Sequence, residues 1–212
     1  MDDHPVVREG LTAQLTAQPD LLVCGEASDV AEALALYDSE QPDITVVDIS
    51  LTTGNGIDLI KRLKTRDPAA RVVVWSMYPE SLYAERALRA GALGYVNKGK
   101  ATREIVQAIR SVLDGQVYLS EATSMRMLSR LVGGKQNGPA SVEDLSDREM
   151  ETFQFLGQGL TTEQIAERMH VSPKTVETYR ARIKEKLSLR TTPELIQRAV
   201  QWFLESQADA DT

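Results

Sequence analysis

A chain of 212 residues suits two small domains or one large one, and its 42% hydrophobic and 26% charged content is ordinary for a soluble globular protein. A single cysteine excludes an internal disulfide and a cysteine-rich zinc site; no run of about 18 apolar residues offers a membrane span, and the acidic start reads as no secretory signal, so the expected compartment is the cytoplasm. The net charge of −7 argues against indiscriminate nucleic-acid binding, but that charge is unevenly spread.

From the N-terminus, Pro5 to Gln18 places Val6, Val7, Leu11 and Leu15 on one face and predicts a helix. LLVCGEA (21–27) reads as a strand, with Cys24 a small buried hydrophobe. Asp29 with Glu32 three residues on is a capping box for a helix that ends before Pro42. ITVVDI (44–49) is nearly all apolar, as in a strand covered on both faces. LTTGNG (51–56) is a loop, Ile57 to Arg66 a helix and RVVVWS (71–76) a strand. Pro79 to Ala90 is a helix with proline in its first turn, LGYVN (93–97) a short strand, and Thr102 to Leu113 a helix closed by Gly115.

Strands alternating with helices predict an α/β domain over 1–119, a parallel sheet with helices on both faces. Ser120 to Val132 reads as a connecting helix and GGKQNGPAS (133–141) as a flexible linker, so 120–141 separates two domains. Residues 142–212 show four helical segments and no convincing strand. Ser146 with Glu149 and Thr161 with Gln164 are capping boxes; Ser172–Pro173 and Thr192–Pro193 are cap-and-proline starts. The second and third helices meet at a short turn around His170 and Val171, which is helix-turn-helix geometry. Residues 1–119 hold twelve basic and seventeen acidic side chains, whereas 168–190 hold seven basic and two acidic. A local basic stretch on an acidic chain suits a nucleic-acid reader.

In such sheets, sites form beyond the carboxyl ends of the strands. Asp48, Ser76 and Lys98 all fall at or just past the ends of separate strands. Taken singly, Ser76 is an ordinary cap and Lys98 a solvated charge; the convergence carries the signal. Asp2, Asp3 and Asp48 would gather three carboxylates, an arrangement that needs a divalent cation, and an all-oxygen site suits Mg2+. Lys98 can pair with a phosphoryl oxygen and Ser76 offers a hydroxyl, which are the parts phosphoryl transfer needs. With no His or Cys nucleophile evident, Asp48 itself would be the acceptor. His4 and His170 read as structural.

DDHPVVREGL, VVDISL, WSMY and GYVNK resemble the receiver domain of two-component response regulators, and LSDREMETFQFLGQGLTTEQIAERMHVSPKTVETYRARIKEKL resembles the LuxR-type helix-turn-helix. Together they resemble the NarL/FixJ subfamily over about residues 1–205. The resemblance implies a flavodoxin-like, doubly wound receiver plus a small all-α four-helix DNA-binding domain. It implies Asp48 as phospho-acceptor and Asp2 and Asp3 as the acidic pair with Asp3 a direct Mg2+ ligand. It further implies Ser50 as the residue whose backbone carbonyl binds the metal, Ser76 as switch hydroxyl, Tyr95 as switch aromatic and Lys98 as the phosphate-binding lysine. The acceptor loop of the family usually carries proline where Thr52 stands, so a looser loop is expected.

A second departure lies at the start. The family has an apolar strand directly before its acidic pair, the central strand of a sheet ordered 2-1-3-4-5. Here Met1 occupies the position of its last apolar residue. Two readings stand: Met1 is an internal residue of a longer chain, or the first strand is missing and the receiver closes otherwise or folds poorly. Asp2 and Asp3 would then hang from a mobile terminus.

In the DNA-binding half, spacing puts Val176, Ile183 and Leu187 in the core and leaves Lys174, Thr175, Glu177, Thr178, Arg180, Ala181, Arg182 and Lys184 as candidates for DNA. The resemblance places Glu177, Thr178 and Ala181 against bases; Lys174, Arg180, Arg182 and Lys184 are expected on phosphates. The last helix is apolar enough for a dimer contact through Leu195, Ala199, Trp202 and Phe203, core being the equal alternative. The expectation is a transcriptional regulator, not a turnover enzyme. A sensor histidine kinase phosphorylates it with Mg2+, and it then binds double-stranded promoter DNA as a homodimer with no membrane. The alternatives are a phosphorylation-independent transcription factor with a degenerate receiver and, less favoured, an Mg2+-dependent phosphohydrolase. Ser50 stands against the last, where a second acid–base Asp is needed.

Overall fold

The computed structural model describes residues 1–51, 54–101, 103–133 and 141–208; Thr52, Thr102 and linker residues 134–140 lie outside them. The chain divides into two compact units, Met1–Ser129 and Arg130–Thr212.

The first unit runs α1 (Pro5–Thr16), α2 (Val30–Glu40), β1 (Thr45–Val47), α3 (Gly56–Arg66), β2 (Val72–Ser76), α4 (Glu80–Ala90), β3 (Gly94–Asn97) and α5 (Arg103–Leu113), and α6 (Glu121–Gly133) carries the chain across the boundary at Ser129. The three strands are parallel in the order β1-β2-β3. Val72–Ser76 is buried along its whole length, which explains a strand of unbroken apolar character. Alternation sends Val73, Trp75 and Val96 to one face, where they pack with Ile105, Ala108, Ile109 and Val112 of α5. Val7, Leu11 and Leu15 of α1 pack against this cluster only half-buried. Ser76 and Tyr95 therefore share the opposite face.

The predicted strand at 21–27 does not form; this segment has no regular structure. A strand needs a partner for its backbone groups, and among the described residues Met1 and Asp2 are what bridges this segment to β1. The Met1 amine donates to Val46 O (3.0 Å), Asp48 N donates to Met1 O (3.0 Å) and Asp2 N donates to Ala27 O (3.1 Å). Met1 and Asp2 thus bridge β1 and the 21–27 segment, so Asp2 is pinned and 4% exposed, not carried on a mobile end. Behind this stub lies a cleft of about 160 Å³ lined by Leu11, Leu15, Val23, Leu36, Val46 and Ile109 among others. Cys24, expected inside, is exposed, and Leu22 is 90% exposed, because the irregular segment has no sheet face to turn inward.

The second unit holds a short 3₁₀ turn (Val142–Asp144), α7 (Asp147–Gly157), α8 (Thr162–Arg168), α9 (Pro173–Lys186) and α10 (Thr192–Ala208). Both predicted capping boxes form: Ser146 with Glu149, and Thr161 with Gln164. Ser172 caps α9, with Pro173 at its first position. Phe153 of α7 meets Trp202 of α10 at 5.5 Å between ring centroids. The two helices approach so closely that a Cβ on Gly157 would sit 2.6 Å from Ala199 O.

Candidate phosphoacceptor centre and DNA-reading helix

Asp48 follows β1, Ser76 ends β2 and Lys98 follows β3, so the sheet delivers all three to one edge. Lys98 Nζ donates to Asp48 Oδ2 (2.6 Å) and to Asp2 Oδ2 (2.5 Å), and it stands 5.3 Å from the centroid of Trp75. The three side chains are nearly enclosed, at 7% exposure for Lys98, 5% for Asp2 and 1% for Asp48. Ser50 donates both its amide and its hydroxyl to the Asp48 carboxylate (3.1–3.2 Å). The loop is held from below by α3: a Cβ on Gly56 would lie 2.1 Å from Asp48 O, so only glycine lets the helix start there. Lys98 N donates to Ser76 O, which ties the ends of β2 and β3 together.

Ser76 is wholly buried, and its Oγ accepts from Tyr78 N at 3.4 Å. Tyr95 is turned inward at 1% exposure and donates to Tyr78 O (2.8 Å), while Tyr78 stacks on Tyr83 of α4. Burial, with the Asp48 charge second, pushes the Tyr95 phenol well above its ordinary range, so it stays a hydroxyl donor. The loop after Ser76, the Tyr95 ring and α4 are therefore one linked assembly.

Asp3 is mostly buried and faces His4, whose Nδ1 lies 2.9 Å from Asp3 Oδ1. Asp2, Asp3 and His4 offer ligand atoms within 4.8 Å of one another. Sequence reading set His4 aside; its place beside two carboxylates was visible only as adjacency. Lys98 and the buried Met1 ammonium stand against Asp2 and Asp48, with Asp3 beside Asp2, and the oxygen-rich donors of this edge fit a hard divalent cation.

Of the candidates on α9, Lys174, Glu177, Thr178, Ala181 and Arg182 are exposed along one stripe, which continues to the exposed Glu185 and Lys186, while Val176 and Ile183 are buried. Thr175 and Lys184 are half-buried at its edges. Arg180, expected on a phosphate, has a side chain 13% exposed, and its guanidinium donates to Glu177 and to Thr162 of α8. Thr162 carried no sequence signal. For the α10 residues weighed between dimer contact and core, burial favours core. Leu195 and Ala199 are 0% exposed and Trp202 8%, all core on the α7 side, and Phe203 is half-buried with its Cβ near Gly157. Ile196 and Leu204 are the apolar side chains that α10 leaves exposed, at 40% and 63%.

Comparison with known proteins gives this geometry its class. Residues 1–110 match the response regulator receiver domain, and residues 143–199 match the bacterial regulatory proteins of the luxR family. The chain is 38% identical over 190 residues to the DNA-binding transcriptional activator DevR/DosR of Mycobacterium tuberculosis, covering 89% of this chain and 87% of that one. A LuxR-family two-component response regulator from Aurantimonas sp. superposes with a TM-score of 0.57 at 37% identity, over 62% of this chain and 94% of that one. The Salmonella typhimurium RcsB response regulator shares the fold at a TM-score of 0.69 and 23% identity, over 94% of each chain. The chain belongs to the two-component response regulators with a LuxR-type DNA-binding domain, a family of transcriptional regulators. No helix among the described residues is long and apolar enough to cross a membrane.

Proposed function

We propose that this chain is a cytoplasmic regulator and that Asp48 is the phosphoryl acceptor through which a sensor histidine kinase controls its promoter binding. The observation that carries the reading is the single lysine, Lys98, closed on both Asp48 and Asp2 in a buried setting. Asp2, Asp3, Asp48 and the Ser50 carbonyl would hold Mg2+, which supplies charge neutralisation when bound. One Asp48 carboxylate oxygen attacks the phosphorus of the donor, the donor's P–O or P–N bond breaks, and an acyl phosphate results. Lys98 then has a phosphoryl oxygen to bind in place of the carboxylate, and Ser76 offers its hydroxyl to another. Movement of the Ser76–Tyr78 loop would carry Tyr95 and α4 with it, because Tyr95 hangs from Tyr78 O. The regulator then pairs, with Ile196 and Leu204 on α10 as the surface for a second copy, and α9 enters the major groove of two half-sites.

The runner-up, a transcription factor indifferent to phosphate, draws on the three-stranded sheet of the described residues and the irregular 21–27 segment. Intact mass after incubation with Mg2+ and a small acyl phosphate separates the two. One added phosphoryl group, absent from Asp48→Asn, is expected. No addition at any donor concentration, with DNA binding equal in Asp48→Asn and the unaltered chain, would hand the case to the runner-up.

A further inference from the structure

The reading stripe of α9 carries two exposed acids in a basic neighbourhood, Glu177 in its first half and Glu185 near its end, and Glu177 is the one among the groups expected against bases. A carboxylate presented to DNA is repelled by phosphates unless its charge is cancelled and its geometry fixed. Glu177 has both provisions. Arg180 Nη1 donates to Glu177 Oε1 at 2.8 Å, Thr162 donates its hydroxyl to the same oxygen at 2.9 Å, and Arg180 Nη1 also donates to Thr162 Oγ1 at 2.6 Å. The three groups close a ring that joins the first turn of α8 to α9. The ring uses Oε1; Glu177 as a whole stays 58% exposed, whereas Arg180 is 13% exposed. Arg180 is thus turned toward the protein, and its charge is committed to a carboxylate before any DNA arrives.

We infer that Arg180 and Thr162 are positioning residues that hold Glu177 as a preset acceptor for the exocyclic amine of cytosine, and that Arg180 is not a phosphate contact. This rests on the reading that α9 enters the major groove. A fixed acceptor-only group needs a donor on the base edge. Guanine offers N7 and O6 there and thymine O4, all acceptors that repel a carboxylate. Adenine offers its N6 amine beside the N7 acceptor. Cytosine N4 alone presents the amine without an adjacent acceptor on its own base. Holding Glu177 in advance removes most of the ordering that a free glutamate would undergo on binding, which sharpens the preference. The arrangement also couples the helices of the motif: disturbing α8 at Thr162 alters what α9 reads.

The test uses the full chain, incubated with Mg2+ and an acyl phosphate. Its preferred duplex is selected from a randomised library. Dissociation constants are then measured for that duplex and for every single-base change, across a range of salt. One position per half-site should prefer cytosine by roughly tenfold to a hundredfold. Glu177→Ala should abolish that preference. Thr162→Ala and Arg180→Ala should each weaken it by about fivefold or more and leave other positions alone, with Thr162→Ser restoring it. The slope of log Kd against log salt should be unchanged in Arg180→Ala, while Lys184→Ala should lower it by about one, as for a lost phosphate contact. A slope lowered by about one in Arg180→Ala, with base preference intact, overturns the inference. Undiminished preference in both Thr162→Ala and Arg180→Ala, with loss in Glu177→Ala, overturns the positioning roles alone. Undiminished preference in Glu177→Ala shows that this residue meets no base and overturns the inference, whereas the reading that α9 enters the groove falls if Lys184→Ala also leaves the salt slope unchanged.

Discussion

Lys98 is the residue on which the receiver centre turns. Its ammonium is the hydrogen-bonding counter-charge to two nearly enclosed carboxylates, Asp2 and Asp48. Removing it leaves like charges buried together, which typically costs about 3–5 kcal/mol. Lys98→Met should therefore melt well below the unaltered chain in metal-free buffer at neutral pH. Mg2+ should recover more of that loss in Lys98→Met than it adds to the unaltered chain, since the cation would take over charge balance that lysine now supplies. Thermal melts with and without Mg2+ check this; equal Mg2+ increments in both would mean that the carboxylates do not form one cation site. The separate members of this cluster were legible in the sequence, because Asp48, Ser76 and Lys98 each end an apolar run. Their joining was not. Lys98 and Asp2 lie 96 residues apart, and only the folded sheet closes that distance.

At the scale of elements, local chemistry governs the helices. Ser146, Thr161 and Ser172 each cap an orphan amide with a hydroxyl, and those starts could be read directly from the sequence. Glu149 does more than complete its capping box. Burial raises its carboxyl toward the neutral form, but the Lys186 ammonium and the Ser146 groups outweigh burial and hold it below its ordinary value near 4.5. A carboxylate with a depressed folded-state value adds stability above its unfolded value, and that stability is lost as pH falls through the folded value. Glu149→Gln should cost about 1–2 kcal/mol at pH 7, reduced from a fully enclosed pair because the Lys186 side chain is 39% exposed. The denaturation midpoints of the two proteins should converge as pH drops below about 4; a constant gap down to pH 3 would assign the loss to packing. The strand expected at 21–27 failed for the complementary reason. A helix satisfies its own backbone, whereas a strand depends on a neighbour that propensity cannot supply.

For the whole first unit, the cleft beside Met1 is the feature that a longer strand would change most. β1 offers one edge to β2 and the other to Met1, and beyond Met1 the cleft exposes the half-buried Leu11, Leu15 and Val46. Main-chain bonds from Met1 to Val46 and Asp48, and from Asp2 to Ala27, already follow a parallel ladder. An apolar segment of five residues joined ahead of Met1 would continue that ladder between β1 and 21–27. Each buried aliphatic side chain contributes about 1.5–3 kcal/mol, against about 1.5 kcal/mol per ordered residue, and the walls of the cleft are covered at the same time. We expect a net gain of about 3 kcal/mol in urea unfolding relative to a glycine–serine extension of equal length. Slowed amide exchange at Val46 and Ala27 should accompany it, as both backbones acquire partners. Because Asp2 and Asp3 would then hang from a full strand, acyl-phosphate labelling of Asp48 should quicken with the stability gain. An apolar extension no better than glycine–serine in all three measurements would mean that the cleft is closed by rearrangement of α1 and not by a strand.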